Sequence, residues 1–389
     1  MKRTSIFLPL MLILGMALAG CQEAEEKPAP VLPTAQPTTQ IPAPESSPQP
    51  EPTEAIAAAT QTITPTPLPT ATPNPLVPEG LALLNYRTLA QVEELGVISQ
   101  ADVIDLAFSP DGRYLRMRVP TGEGIHRDIF YDLETGAEVF SLEGGQRVYF
   151  QPDSTSIAAL DDEGLMRYRL PSGEAFDPYT TDNQAAALSP DGRLLVEFEV
   201  HEGEGDGTTL RLIDLTSEEE VFWVYVAGKL EKEKLHFDGD GQRIAVTYFV
   251  PPGTYVTTIW DVDTGRVVYN EYGYSEIALH PYGSEIAVSS SRRSFISLVS
   301  TVTWEQIYYL GSAEEDPGFY HVSYTSGGRL IYALSDREQT KAYFWYPPSG
   351  ESIDLDLGLD LLAVTISPDR RLMATSNKSG SVILWGVRE

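Results

Sequence analysis

From Leu81 to the end, the chain is a succession of short runs, four to eight residues long, in which apolar and polar positions alternate or in which the apolar residues are continuous. That period belongs to strands rather than helices. Gly, Asp, Pro and Ser gather between the runs. Strands such as Tyr114–Val119, Ile244–Tyr248 and Leu372–Thr375 are bounded on one side by a turn of the Ser-Pro-Asp-Gly type. In that turn proline presets φ at the first corner, aspartate bonds back to the backbone and glycine accepts a positive φ. The apolar residue that ends the strand before each turn recurs as Phe108, Phe150, Leu188, Phe237, Leu279, Tyr324 and Ile366. These seven positions are separated by 42, 38, 49, 42, 45 and 42 residues.

A period near 43 residues is that of a four-stranded propeller blade. Each unit reads strand, Ser-Pro-Asp-Gly turn, strand, loop, strand, second turn, strand. The second turn is visible in Thr258-Ile-Trp-Asp-Val-Asp-Thr-Gly265 and Tyr343-Phe-Trp-Tyr-Pro-Pro-Ser-Gly350. The fold expected is all-β: a seven-bladed β-propeller of four-stranded antiparallel blades over residues 81–389. The last unit supplies only three strands, because the chain stops four residues after Ser381–Trp385. A run from about Leu89 to Ile98, ahead of the first turn, is the expected fourth strand. It would seal the ring and remove two bare sheet edges.

The repeats resemble those of WD-repeat propellers, most closely in the last, Ile366-Ser-Pro-Asp-Arg-Arg-Leu-Met-Ala-Thr-Ser-Asn-Lys-Ser-Gly-Ser-Val-Ile-Leu-Trp385. The chain also departs from that family. Its Trp-Asp pair survives only at Trp260-Asp261, and Leu359 stands where a repeat histidine belongs. The buried His-Ser/Thr-Asp-Trp network that the family carries is therefore not expected. The same turn occurs in periplasmic Tol-type propellers, which usually have six blades.

Ahead of the repeats lie two segments of other character. Lys2 and Arg3 precede an apolar run, Ile6 to Ala19, that is short of the roughly 20 residues a spanning helix needs. Leu18-Ala19-Gly20-Cys21 then resembles the lipobox of bacterial lipoproteins. The resemblance implies a signal peptide over residues 1–20, lipidation of the Cys21 thiol and cleavage before it. Cys21 is the chain's one cysteine, so disulfides and cysteine-based zinc sites are excluded. Residues 21–80 are expected to be a disordered stalk: 15 of the 29 prolines fall between Pro28 and Pro78, with no glycine or aromatic residue among them. Extended as polyproline II, fifty such residues reach about 150 Å. The expected location is the outer face of the cell membrane, or the outer membrane where the organism has one.

Charge narrows the partners. With 27 basic and 56 acidic residues the formal net charge is −29, which disfavours nucleic acid. No Gly-x-Ser-x-Gly, His-Glu-x-x-His or phosphate loop occurs, and the five histidines lack ligand spacing. No catalytic residue, metal or cofactor is expected. Asp238-Gly-Asp-Gly241 and Glu202–Asp206 are expected to be solvated turns, and Glu218–Glu220 surface charge. Binding is expected on the face that carries the second-to-third-strand loops and the blade connections, where recognition residues sit on a rigid frame. The candidates there are His126, His201, Tyr255, Tyr274, the basic pair Arg292 and Arg293, Phe319, Tyr320 and Arg337. The function expected is a non-catalytic, monomeric interaction scaffold or ligand-binding module on a membrane anchor, with a protein partner. The alternatives are a Tol-like envelope-assembly component, and a hydrolase or oxidoreductase whose site is assembled from several blades at the channel mouth.

Overall fold

Short β-strands bounded by tight turns pair with their sequence neighbours, and this rule accounts for every sheet of the computed structural model but one, whose fourth strand comes from the other end of the chain. The structure describes residues 77–389, except 101, 123–124, 145–146, 162, 202–206, 251–252, 275, 290–294, 311–318, 326 and 336–339. The signal peptide, Cys21, nearly all of the stalk, Arg292, Arg293 and Arg337 lie outside the described residues. All described residues fall within one unit, Leu68–Glu389, and none of their helices is long and apolar enough to cross a membrane.

Twenty-eight strands form seven four-stranded antiparallel sheets. Blade 1 holds β2 (Asp105–Phe108), β3 (Tyr114–Gly122), β4 (Ile125–Asp132) and β5 (Ala137–Glu143). Blade 2 holds β6 (Arg147–Phe150), β7 (Ser156–Asp161), β8 (Gly164–Arg169) and β9 (Ala175–Thr180). Blade 3 holds β10 (Gln184–Leu188), β11 (Leu194–His201), β12 (Gly207–Asp214) and β13 (Glu219–Val226). Blade 4 holds β14 (Lys229–Phe237), β15 (Arg243–Val250), β16 (Thr254–Asp261) and β17 (Val267–Tyr272). Blade 5 holds β18 (Glu276–Leu279), β19 (Glu285–Ser289), β20 (Ile296–Ser300) and β21 (Gln306–Leu310). Blade 6 holds β22 (Phe319–Tyr324), β23 (Ile331–Ser335), β24 (Lys341–Tyr346) and β25 (Glu351–Asp356). Blade 7 holds β26 (Leu361–Ile366), β27 (Met373–Asn377), β28 (Ser381–Gly386) and, from the other end of the chain, β1 (Glu93–Ile98). Each inner strand ends on the apolar residue that the repeat pattern marks.

Closure is by β1, which runs antiparallel to β28 with Glu93 opposite Gly386 and Ile98 opposite Val382. The closing strand is shorter than the sequence suggests. Leu89–Gln91 forms a 3-10 turn, and Leu89 is fully buried among residues of blades 6 and 7. A second seam reinforces the first, with the Ala82 amide donating to the Val387 carbonyl at 2.7 Å and the Glu389 amide to Gly80 at 3.0 Å.

No single core serves the ring. Seven apolar clusters each lie between two consecutive blades, from blades 1 and 2 round to blades 7 and 1. A strand alternates its side chains between two faces, and here both faces meet a neighbour. Continuous apolar runs such as Leu194–Phe198 follow from that double burial.

The first-to-second-strand turns form a collar on one face. Ser109, Ser189 and Ser367 each donate a hydroxyl to the aspartate two residues on, at 2.6 Å. The same oxygens accept the amides of Tyr114, Leu194 and Leu372 at 2.8–2.9 Å. Consecutive turns also touch: the Asp111 amide reaches Ser154 Oγ at 3.0 Å, and the Arg243 guanidinium reaches the Gly283 carbonyl at 3.2 Å. Gly328, at φ +65°, lets the His280 ring approach so closely that a Cβ there would lie 2.1 Å from Nε2.

The blade 4 turn differs in its charge. In blade 4 aspartates occupy both polar positions, as Asp238 and Asp240. Asp238 is not the solvated turn residue expected: it is 1% exposed. Its oxygens accept the Arg243 amide at 2.9 Å and the Arg243 guanidinium at 3.1 Å. Burial and the neighbouring Asp240 carboxyl push Asp238 up to about 6.

Candidate functional site

Antiparallel topology puts the strand ends opposite the collar on a second face, and the candidate residues that are described lie at those ends. They are spread over the ring rather than gathered. His126 lies on β4 of blade 1 and His201 at the tip of β11 of blade 3. Tyr255 is on β16 of blade 4, Tyr274 follows β17, and Phe319 and Tyr320 open β22 of blade 6.

Most of them are engaged locally. His201 Nε2 is 2.8 Å from Thr209 Oγ1, and its ring lies 6.2 Å from that of Tyr225. Tyr255 packs edge-on against Phe249 at 5.5 Å. The Tyr274 hydroxyl lies 3.4 Å from Ser297 Oγ, joining the blade 4–5 connection to blade 5. Phe319 corrects the sequence reading outright. It is 1% exposed and packs edge-on against Tyr343 and Trp345, so it belongs to the core between blades 5 and 6. Phe319, Val322 and Tyr324 of β22 together fill that interface.

Trp385 Nε1 donates to Thr375 Oγ1 at 2.8 Å, tying β28 to β27. The register that sets Trp385 opposite Met373 brings the indole over the Thr375 hydroxyl two residues on.

Three features escaped the sequence reading. The first is a buried ion cluster between blades 1 and 2. Asp128, on β4 and fully buried, receives the Arg118 guanidinium at 3.0 Å and lies 3.7 Å from that of Arg116. Arg116 also bonds Asp105 and donates to the Val148 carbonyl of blade 2 at 2.7 Å. Burial opposes the charge on Arg116, but Asp105 and Asp128 outweigh it and hold the guanidinium above its ordinary range. Nearby, Arg147 donates to the Ala186 carbonyl at 2.7 Å and the Leu235 carbonyl at 2.9 Å, which ties the inner strands of blades 2, 3 and 4. Burial pushes the Tyr149 phenol up, against the pull of Arg147, Arg116 and Arg118. These cations are spent on acids and carbonyls of the ring itself, so the cluster locks blades together.

The second is a polar cleft of about 290 Å³ between blades 2 and 3, lined by Arg167, Asp177, Tyr179, Arg193 and Glu218 among others. Arg167 spans it, reaching Asp177 at 2.5 Å and the Gly192 carbonyl at 3.0 Å. The Tyr179 hydroxyl donates to buried Glu197 at 3.1 Å, and burial together with that carboxylate pushes the phenol up to about 12.

The third is on the outer rim. Most large exposed apolar side chains belong to blades 3, 4 and 5, among them Trp223, Tyr225, Tyr272, Tyr308 and Tyr309. Patches of this kind on a stable ring mark interaction surfaces. Among the described residues, no group of three or more His, Cys, Asp or Glu side chains is placed to hold a metal ion.

Comparison with solved structures agrees on architecture. The chain is similar to the β-propeller domain of Cps50 (Swd1) from Myceliophteria thermophila, with a TM-score of 0.58 and 14% identity over 76% of this chain and 99% of that one. Identity that low establishes the fold alone. No protein-family profile and no curated protein matches the chain.

Proposed function

We propose that this chain is a non-catalytic protein-interaction scaffold displayed outside the cytoplasmic membrane, anchored by acyl chains on Cys21 and held off the bilayer by its proline- and threonine-rich stalk. The observation that carries the reading is the division of labour in the ring. Interior charges such as Arg116, Arg118 and Asp128 pair with one another, while large aromatic side chains are left to solvent on the outer strands of blades 3 to 5. An interior closed on itself and a rim rich in Trp and Tyr suit recognition, because those residue types dominate interface hot spots. The anchor rests on Leu18-Ala19-Gly20-Cys21 and on the absence of any other thiol. Two or three acyl chains hold a protein stably, at ~0.8 kcal/mol per buried methylene.

The test is crosslinking in living cells with photoreactive residues at His126 on the second face and at Trp223 on the rim, followed by mass spectrometry. A reproducible protein partner at either position is the expected result. Cys21→Ser is expected to move the chain from the membrane to the soluble fraction. Recovery of no partner from either position, with small polar compounds stabilising the purified protein, would replace the scaffold with a ligand-binding role centred on the blade 2–3 cleft.

A further inference from the structure

Each blade ends in an outer strand whose far edge has no sheet partner. Bare edges recruit other chains unless they are short, charged, bulged or interrupted by proline. Six of the seven are guarded in this way. Pro178 interrupts β9, acids recur along β25 at Glu351, Asp354 and Asp356, and β1 has a bulge at Glu94/Gly96. Strand β21 has only five residues, β17 carries Asn270 and Glu271, and β5 carries Glu138 and Glu143.

Strand β13 carries its guards only at its head, where Glu219 and Glu220 stand and a bulge falls between Glu220 and Phe222, and the rest of the strand is bare. It is eight residues long, the longest outer strand, and Val221-Phe222-Trp223-Val224-Tyr225-Val226 contains no Pro, Gly or charge. Phe222 and Val224 turn inward against blade 4. Trp223 and Tyr225, two residues apart on the opposite face, remain 60% and 47% exposed. The neighbouring blade explains why: β7, β8 and β9 have six residues each, whereas β11, β12 and β13 have eight, so blade 3 overhangs blade 2. The overhang is acidic. Arg211 lies 3.6 Å from Glu199 and 3.4 Å from Glu220, which neutralise it, while Glu218 and Glu219 stand at the head of the strand.

We propose that the β13 edge accepts an extended segment of a protein partner by strand addition, and that this segment alternates apolar with basic residues. Main-chain pairing supplies the affinity and the exposed face supplies the selection. Trp223 and Tyr225 offer ring faces to apolar stems and to cations, and the glutamates select Lys or Arg. A second copy of the chain fits less well, since two bodies with formal charge −29 repel. The proposal rests on the scaffold reading above and names its site.

The test uses the purified full chain and a fluorescent octapeptide of alternating Lys and Val, read by anisotropy. Expected results are saturable binding, at least tenfold loss when alternate peptide nitrogens are methylated, and no binding of the Glu-Val counterpart. Trp223→Lys, which adds an edge guard, is expected to cost at least tenfold. Tyr282→Lys, which adds the same charge on an exposed residue of blade 5, is expected to leave binding unchanged, and circular dichroism checks that both variants are folded. Equal binding of methylated and unmethylated peptides would reduce the effect to charge and overturn the proposal. So would indifference to Trp223→Lys, or a dimer that Trp223→Lys dissolves. Loss of the proposal together with continued partner crosslinks at His126 would leave the scaffold reading standing. Loss of crosslinks at both positions would remove that reading too.

Discussion

Replacing Asp238 by serine restores in blade 4 the hydroxyl–carboxylate pair of blades 1, 3 and 7, and its effect on stability is expected to depend on pH. Asp238 is buried, and its carboxyl is raised from 3.8 to about 6. The folded state therefore binds this proton more tightly than the unfolded chain does. A group of that kind contributes stability fully below pH 3.8, and the contribution is lost as pH rises through about 6. At 1.36 kcal/mol per pKa unit the swing is at most about 3 kcal/mol, and about 2 kcal/mol of it falls between roughly pH 4.5 and 7.5. Serine carries no titrating proton, and its hydroxyl can donate to Asp240 and accept the Arg243 amide, as Ser109 does with Asp111 and Tyr114. Losing the Asp238–Arg243 contact at 3.1 Å shifts the variant by a constant, so the readout is the slope.

The assay is urea denaturation of wild type and Asp238→Ser in parallel at half-unit steps across that range. Titrating groups that do not touch Asp238 cancel in the difference. The variant is expected to gain on the wild type by about 2 kcal/mol from the acid end to the neutral end, with most of the change below pH 6.5. Parallel stability profiles would refute the raised Asp238 carboxyl and leave it as an ordinary ionised partner of Arg243.

Other perturbations give simpler readings. Asp128→Asn leaves Arg118 without its buried partner and is expected to cost about 3 kcal/mol in the same denaturation assay. Trp385→Phe removes the donor to fully buried Thr375 Oγ1 and is expected to cost about 1–2 kcal/mol. Deleting residues 81–98 takes away β1 and the second seam, and is expected to abolish the cooperative melt of the whole ring. Deleting residues 30–70 is expected to leave the melting temperature unchanged within about 1 °C, since all four strands of every blade are drawn from residues 93–386.

How far the fold was legible in the sequence depended on where its determinants lie. The seven residues ending the inner strands could be read one by one, because turn chemistry is local and recurs at every blade. The closing strand was legible from topology: a last repeat with three strands requires a fourth, and only one unassigned run was available. Its start was misplaced because Leu89 looks like a strand residue until the 3-10 turn buries it against blades 6 and 7. Phe319 was read as a loop residue because acids precede it, whereas its packing against Tyr343 and Trp345 depends on contacts 24 and 26 residues away. Arg116, Arg118 and Asp128 share the limitation. Only the pairing of β3 with β4, which sets Arg118 opposite Asp128, turns separate polar positions into one buried cluster.

The rim site has a different history, since its signal was present and unused. Among the six repeat spacings the shortest, 38, and the longest, 49, are adjacent, and they bracket Leu188 at the end of β10. In a ring of similar blades a short repeat beside a long one requires an uncovered step, because the longer strands extend past the shorter. The residues on that step are those for which the ring itself provides no burial. Aromatic side chains there, on a strand with no charge or proline along its final six residues, are costly to leave exposed and prone to unwanted pairing. Their presence on β13, the outer strand with the longest run free of charge and proline, is what directs the proposed strand addition to the overhang of blade 3. The second-face loops, to which loop placement on a rigid frame directs attention, have no comparable deficit of burial at His201, Tyr255 or Tyr274, each of which already has a neighbour within its own or the adjoining blade.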